Sequence, residues 1–252
     1  MRVYYEGKHN IKRDSVELVP SLNDAEVFVV DGGDGRMLEA ASIISSHGLW
    51  HIPILGFNTG HVGFLSNDLD ITNSATLNHI FTTEVANLPI EEHHLLVVKN
   101  GAEISYAINE VVLQPKIPGR LFEIGVSLHN VGTDNKMFIL KYKGDGIIIS
   151  TASGSTAYNL SAGGPIVLPE LDTITLTPIC PFSLAARPLV VPGRTMLCMD
   201  TEMPAYLTID GRPMEANKDI HISMYEHKVS LVKYSSFVDA IHEKLGWNRS
   251  IK

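Results

Sequence analysis

The chain has 252 residues, 44% of them apolar and 19% charged, enough to bury a core in one large domain or two ordinary ones without disulfide or metal support. A formal net charge of -8 argues against a nucleic-acid surface, because duplex affinity is built from clustered Lys and Arg. With only Cys180 and Cys198, no signal-peptide pattern and no apolar run of the roughly 18 residues that a bilayer crossing needs, the expectation is a folded cytoplasmic protein that spans no membrane. An anionic small ligand requires locally placed cations, for which Arg36, Arg120, Lys143, Arg187, Arg194 and Arg212 are the candidates.

In chain order, the first predicted element is a buried parallel strand at 27–30, a Val-rich run that stops at Asp31 and two glycines. Met37, Ala40, Ala41 and Ile44 then recur at helical spacing up to the stop at His47-Gly48, and a second strand follows at 52–57. This β-α-β succession predicts a parallel pair with ligand sites outside its carboxyl ends. From about residue 88 the period changes to two: within 121–128, Phe122, Ile124, Val126 and Leu128 share one face. Further strands are predicted at 95–99, 104–108, 137–141, 146–150, 196–199, 206–209 and 227–233, so the second half reads as a sandwich or barrel-like packing of sheets. The small-residue stretch 157–167 is compatible with a helix that puts Tyr158, Ser161, Ala162 and Pro165 on one side, and 237–245 reads as a short closing helix.

The turn Gly32-Gly33-Asp34-Gly35 ends a strand and opens a helix, which aims backbone N–H groups and the helix's positive end at phosphate oxygens. Asp34 is the odd member, since a carboxylate repels the phosphates that glycines attract. It makes sense as a proton acceptor for an attacking hydroxyl, or as a ligand to a metal ion bridging phosphates. Taken alone, the same residues also read as an ordinary Asp-Gly turn. In the segment 151–165, small hydroxyl residues between glycines reach phosphate, ribose or adenine edges, and Tyr158 offers a ring to stack. A serine nucleophile is disfavoured, as the G-x-S-x-G elbow and a local base are missing. Asn109-Glu110 pairs an amide with a carboxylate, which suits ribose hydroxyls or an adenine edge, and Asp145 between Gly144 and Gly146 repeats the theme of a carboxylate in a turn. Each of these also reads as a solvated bend or hairpin turn. Protein-bound zinc is not expected: His93-His94 cannot both face one site from a strand, and Gly48 between His47 and His51 discourages the helix needed to align them. The G-x-G-x-x-G fingerprint of hydride-transferring enzymes is missing as well.

Together these residues resemble the NAD kinase family in its bacterial form. The glycine-aspartate turn, Gly60-His61-Val62-Gly63-Phe64-Leu65, Asn109-Glu110, Asp145-Gly146 and the 151–166 segment stand in that family's order and approximate spacing, as do Ala185-Ala186-Arg187-Pro188-Leu189 and Lys244-Leu245-Gly246-Trp247. The long segment is the specific part, because lipid kinases and phosphofructokinases carry similar glycine-aspartate turns. The resemblance implies an α/β nucleotide-binding domain at 1–86, completed by a tail at 236–252, and a β-rich, sandwich-like NAD-binding domain at 87–235. It implies transfer of the terminal phosphoryl group of ATP to the 2′-hydroxyl of the adenosine ribose of NAD, with magnesium or another divalent cation carried on ATP, and assembly as a homodimer or homotetramer. By the same resemblance Asp34 is the general base. Asp34, Gly35, Asn109, Glu110, Asp145, Thr156, Ala157, Tyr158, Asn159, Leu160 and Ser161 fall on cofactor- or nucleotide-binding positions, and Arg120, Lys143 and Arg212 carry over more weakly. Arg36 departs from the family's threonine or asparagine, which predicts an added phosphate contact or a crowded donor site. Ser153 stands for a threonine, and the early Val27 strand reads as a trimmed first domain. A lipid or sugar kinase sharing the turn and a catalytically silent dinucleotide sensor are the alternative readings.

Overall fold

A computed structural model of the chain describes residues 1–11, 14–58, 63–117, 119, 122–129 and 136–247. It divides into two compact units, Met1–His93 with Val229–Lys252 and His94–Lys228.

The first unit opens with β1 (Arg2–Glu6), which pairs in parallel with the short β2 (Glu17–Leu18) and with β3 (Val27–Asp31). Every residue of β3 before Asp31 is buried, as an unbroken apolar run in a parallel sheet requires. Helix α1 (Asp34–His47) carries Met37, Ala40, Ala41 and Ile44 inward and ends at Gly48, whose φ of 67° closes it in the left-handed conformation. It leads to β4 (Ile54–Phe57), parallel to β3. At Gly56 a Cβ would lie 2.2 Å from Met37 Sδ, so only glycine lets the helix seat this closely. Helix α2 (Ser74–Thr82) starts where the Asn73 side chain accepts from the N–H groups of Ala75 and Thr76, and buries Leu77, Ile80 and Phe81 with Leu55 and Phe57 of β4. Neither β1, β2 nor α2 is among the predicted elements.

In the second unit β5 (Ile90–Asn100, its first residues still in the first unit) forms a hairpin with β6 (Glu103–Ala107). There follow β7 (Glu110–Pro115), β8 (Phe122–His129), β9 (Lys136–Gly144), β10 (Gly146–Ser150), the single helical turn α3 (Tyr158–Ser161), β11 (Thr173–Ile179), β12 (Leu189–Pro192), β13 (Met196–Asp200), β14 (Ala205–Ile209), β15 (Arg212–Glu215) and β16 (Ile220–Val232). The antiparallel order β12-β11-β10-β7-β14-β15 makes one layer. Strands β9, β8 and β13 and the start of β16 make the other. Val111, Leu113, Ile147, Ile149, Leu176 and Leu207 of the first layer meet Phe122, Ile124, Val126, Leu197 and Ile222 of the second in one apolar core. An α/β part followed by a β-rich sandwich is the expected fold class. The long helix compatible with 157–167 is not formed: only Tyr158–Ser161 coils, and Gly163 at φ 81° turns the chain away.

The end of β16 belongs to the first unit, where Leu231 pairs in parallel with Ile54. Helix α4 (Phe237–Leu245), capped by the Ser236 hydroxyl on the N–H of Asp239, completes that unit.

Candidate active site

Helix α1 begins at the glycine turn, and no side chain caps it at Gly33. Its first-turn N–H groups are therefore available to an anion. Gly32, at φ 140°, sits where a Cβ would meet Arg36 Cγ at 2.5 Å, and its N–H bonds the Phe57 carbonyl (2.8 Å). Asp34 stands in the first turn, and the segment that precedes Ser66 wraps its carboxylate. Phe64 N–H donates to Oδ2 (2.7 Å), while Leu65 N–H, Ser66 N–H and the Ser66 hydroxyl donate to Oδ1 (3.1 Å each). At Gly63 a Cβ would stand 2.0 Å from Asp34 Oδ1, which makes this glycine a condition of the wrap.

Two lysines complete the arrangement. Lys244 of α4 brings Nζ to 3.9 Å from Asp34 Oδ2 and to 4.2 Å from the centre of the Phe64 ring. Lys233, buried, donates through Nζ to the carbonyls of Phe64 and Ser66, at 3.0 Å each. Burial pushes the Lys233 pKa down, and the negative charges of Glu91 and Asp34 push it back up. Asn67, fully buried, ties the segment to both neighbouring strands: its amide donates to Gly56 O (3.1 Å) and Val232 O (2.7 Å), and its oxygen accepts from Tyr234 N–H (2.8 Å).

Arg36 does not enter this arrangement. Its guanidinium pairs with Glu39 one helical turn on and with Glu6 at 3.5 Å. Asp31 is likewise structural. Burial raises its carboxyl, but hydrogen bonds from His9 and Tyr5 and from the N–H groups of His9 and Lys8 outweigh that and hold it at about 2.

In the second unit, Ile108 and Asn109 form a bend between β6 and β7 with Glu110 as the first residue of β7. Asp210, in a left-handed conformation (φ 44°) at the β14–β15 turn, fixes that bend by accepting from the N–H groups of Ile108 (2.7 Å), Asn109 (2.9 Å) and Glu110 (3.0 Å). Burial, then repulsion from Asp210, pushes the Glu110 carboxyl up to about 7, while a hydrogen bond from the Tyr158 backbone opposes the rise. Burial also raises Asp210, against three N–H donors and the charge of Arg212 that favour its charged form, so the two carboxyls titrate as a pair. Glu110 Oε2 has no hydrogen-bond partner among the described residues.

The 151–165 segment packs on the same bend. Thr151 Oγ1 donates to Ile108 O (2.6 Å), and a Cβ on Gly154 would fall 2.0 Å from Asn109 O. Asn159 is fully buried, with its amide on Ser155 O and Pro165 O (3.0 Å each) and its oxygen accepting from Thr177 Oγ1 (2.6 Å). It holds the loop together from inside. Tyr158 and Ser161 are exposed, Thr156, Ala157 and Leu160 half-buried.

The sequence candidates are thus sorted into separate places. Asp34 and Gly35 lie at the glycine turn. Asn109, Glu110 and residues 156–161 gather around the bend, with Arg212 near enough to act on the Asp210 charge. Asp145 lines a different cavity, of about 410 Å³, with Gln114, Tyr206, Thr208 and Pro213, and Lys143 is exposed on β9 close by in sequence. Along β10, Ser150 pairs with Glu110, and five residues at ~3.3 Å each put Asp145 about 17 Å from that position. Arg120 and Gly60, His61 and Val62 lie outside the described residues. Lys233 and Asp210 are site members that sequence reasoning did not find.

Residues 2–85 match a family model described as the ATP-NAD kinase N-terminal domain, and residues 108–234 one described as the ATP-NAD kinase C-terminal domain. An NAD kinase of Koribacter versatilis is 33% identical over 97% of this chain and 85% of its own, and one of Klebsiella pneumoniae is 36% identical over 90% and 78%. A solved structure of an NAD kinase from Archaeoglobus fulgidus in complex with ATP is similar with a TM-score of 0.78 at 24% identity, covering 98% of this chain and 99% of that one.

Proposed function

The chain belongs to the ATP-NAD kinase family, and on that premise we propose how its residues divide the transfer of the terminal phosphoryl group of ATP to the 2′-hydroxyl of the adenosine ribose of NAD. The reading rests above all on the Asp34 carboxylate, placed beside an uncapped helix start and held there by donors of the 64–66 segment. The uncapped N–H groups of α1 take the phosphates of ATP, with Gly35 keeping the approach free of side chains. Asp34 accepts the proton of the attacking hydroxyl. In a loose transition state the nucleophile sheds its proton late, so a fixed carboxylate beside it serves as the acceptor.

The described residues hold no group of three or more His, Cys, Asp or Glu suited to a metal ion. They fit a magnesium ion that arrives on ATP, with Asp34 the one carboxylate at the turn to meet it; bound there, it would neutralise charge on the phosphates. Asn109 and Glu110 hold ribose hydroxyls, and the exposed Tyr158 ring lies against the base. A neutral Glu110 donates one hydrogen bond and accepts another, so it matches a hydroxyl in either orientation. Asp145, far along the sheet from Glu110 and lining a different cavity, contributes to the NAD site of a second copy, which joins its role to a homo-oligomer. Among the described residues no helix is long and apolar enough to cross a membrane; with Cys180 and Cys198 not joined by a disulfide, we place the reaction in the cytoplasm.

The test is NADP formation from NAD, ATP and magnesium by wild type and Asp34→Asn. The variant should fold and lose ~10² to 10⁴ in kcat, the usual range for general-base help. A folded Asp34→Asn protein that makes NADP at near wild-type rate removes Asp34 from the role of base.

A further inference from the structure

Behind the 64–66 segment, on the side away from Asp34, lies a second charge that the family's glycine-aspartate turn does not announce. The Phe64–Leu65 peptide is a rigid trans plane whose C=O and N–H point in opposite directions. Its carbonyl accepts from Lys233 Nζ at 3.0 Å, and its N–H donates to Asp34 Oδ1 at 3.1 Å. The Ser66–Asn67 plane repeats the pattern: its carbonyl accepts from the same ammonium at 3.0 Å, and its N–H bonds Gly56 O at 2.9 Å. One plane is thus stretched between a cation and the carboxylate, and the next between that cation and strand β4.

We infer that Lys233 is a positioning residue for phosphoryl transfer, a buried ammonium that orients the Phe64–Leu65 peptide so that its N–H stays turned on Asp34, and that pins the Ser66–Asn67 peptide against β4. This inference rests on Asp34 being the group that takes the proton. Burying an ammonium is costly, and two carbonyls alone are modest compensation. The nearby charges of Glu91 and Asp34 offset part of the cost, and Lys244 adds to it. A purely structural clamp at this place is obtainable from a neutral amide, as Asn67 shows one residue further on. What a cation adds is polarisation of the Phe64–Leu65 peptide toward Asp34. Lys233 does not touch the reacting atoms, so it acts on the rate through Asp34 and not on substrate affinity.

The experiment is a double-mutant cycle on NADP formation. Lys233→Met should lower kcat about 10- to 100-fold and leave the KM values for NAD and ATP within about twofold, because a geometry needed only in the transition state is lost. Lys233→Arg, which keeps charge and donors, should recover most of the rate. In the Asp34→Asn background the Lys233→Met change should cost less than about threefold, as there is no carboxylate left to position. Single-turnover transfer from radiolabelled ATP measures these residual rates, and thermal melting confirms folded protein. If Lys233→Met does not fold, Lys233→Gln takes its place in the same cycle, with the same non-additivity expected. Equal fold-losses in both backgrounds, or a folded Lys233 variant with wild-type kcat, overturn the inference. A fast Asp34→Asn enzyme overturns instead the assignment of the base, whatever Lys233 does.

Discussion

Glu110 shows how much of this protein's chemistry is decided by single side chains. Its carboxyl moves from a reference of 4.5 to about 7 through burial and the charge of Asp210. A group that holds its proton more tightly when folded makes the folded state the better proton binder between those two values. Stability is then full below about pH 4.5 and declines as pH rises through about 7. Glu110→Gln, which cannot ionise, should match wild type near pH 5 and exceed it by about 2 kcal/mol at pH 8. Paired urea melts at the two pH values check this, and an equal gap at both removes the buried proton. Asn109-Glu110 was legible in the sequence as a polar pair able to donate and accept. Asp210 was not, because an Asp-Gly after a strand is the ordinary spelling of a turn, and its grip on three N–H groups comes from residues about a hundred positions away. The Arg36 ion pair with Glu6 was illegible for the same reason, since Glu6 is distant in sequence.

At the level of elements, periodicity succeeded where packing on one face decides the outcome. Helix α1 and strands β3, β4, β8 and β10 lie where their apolar spacing puts them. Helix α2 was missed although its Asn73 cap and Leu77, Ile80 and Phe81 carry the pattern. The longer helix compatible with 157–167 did not form, for a physical reason. The Ser, Thr and Asn side chains of the 151–165 segment bond the backbone locally, and such bonds compete with helix. Ser155 Oγ, for example, accepts from Val167 N–H at 2.9 Å, and Asn159 closes the rest. Asn159→Ala should therefore act through the loop: a loss of about 2 to 4 kcal/mol in stability, from several buried bonds at once, together with a raised KM for NAD and a nearly unchanged KM for ATP. Calorimetry and steady-state kinetics measure the two halves. A stable variant with only a binding defect would make Asn159 a direct ligand instead.

For the whole molecule, the telling fact is that Asp145 and Glu110 occupy opposite ends of one sheet face. If the NAD site is shared between copies, Asp145→Ala and Asp34→Asn damage different halves of it. Co-expressed in equal amounts, the two variants should regain about a quarter of wild-type NADP formation at low NAD, since half of random dimers are mixed and each mixed dimer has one intact site. Recovery no greater than the sum of the separate variants would confine each site to one chain. The first unit is also closed by residues distant in sequence. Asp34 precedes Val232, Lys233, Tyr234 and Lys244, whose contacts fasten its surroundings, by about two hundred positions. A chain clipped ahead of β16's final residues carries the phosphate turn without its fastening.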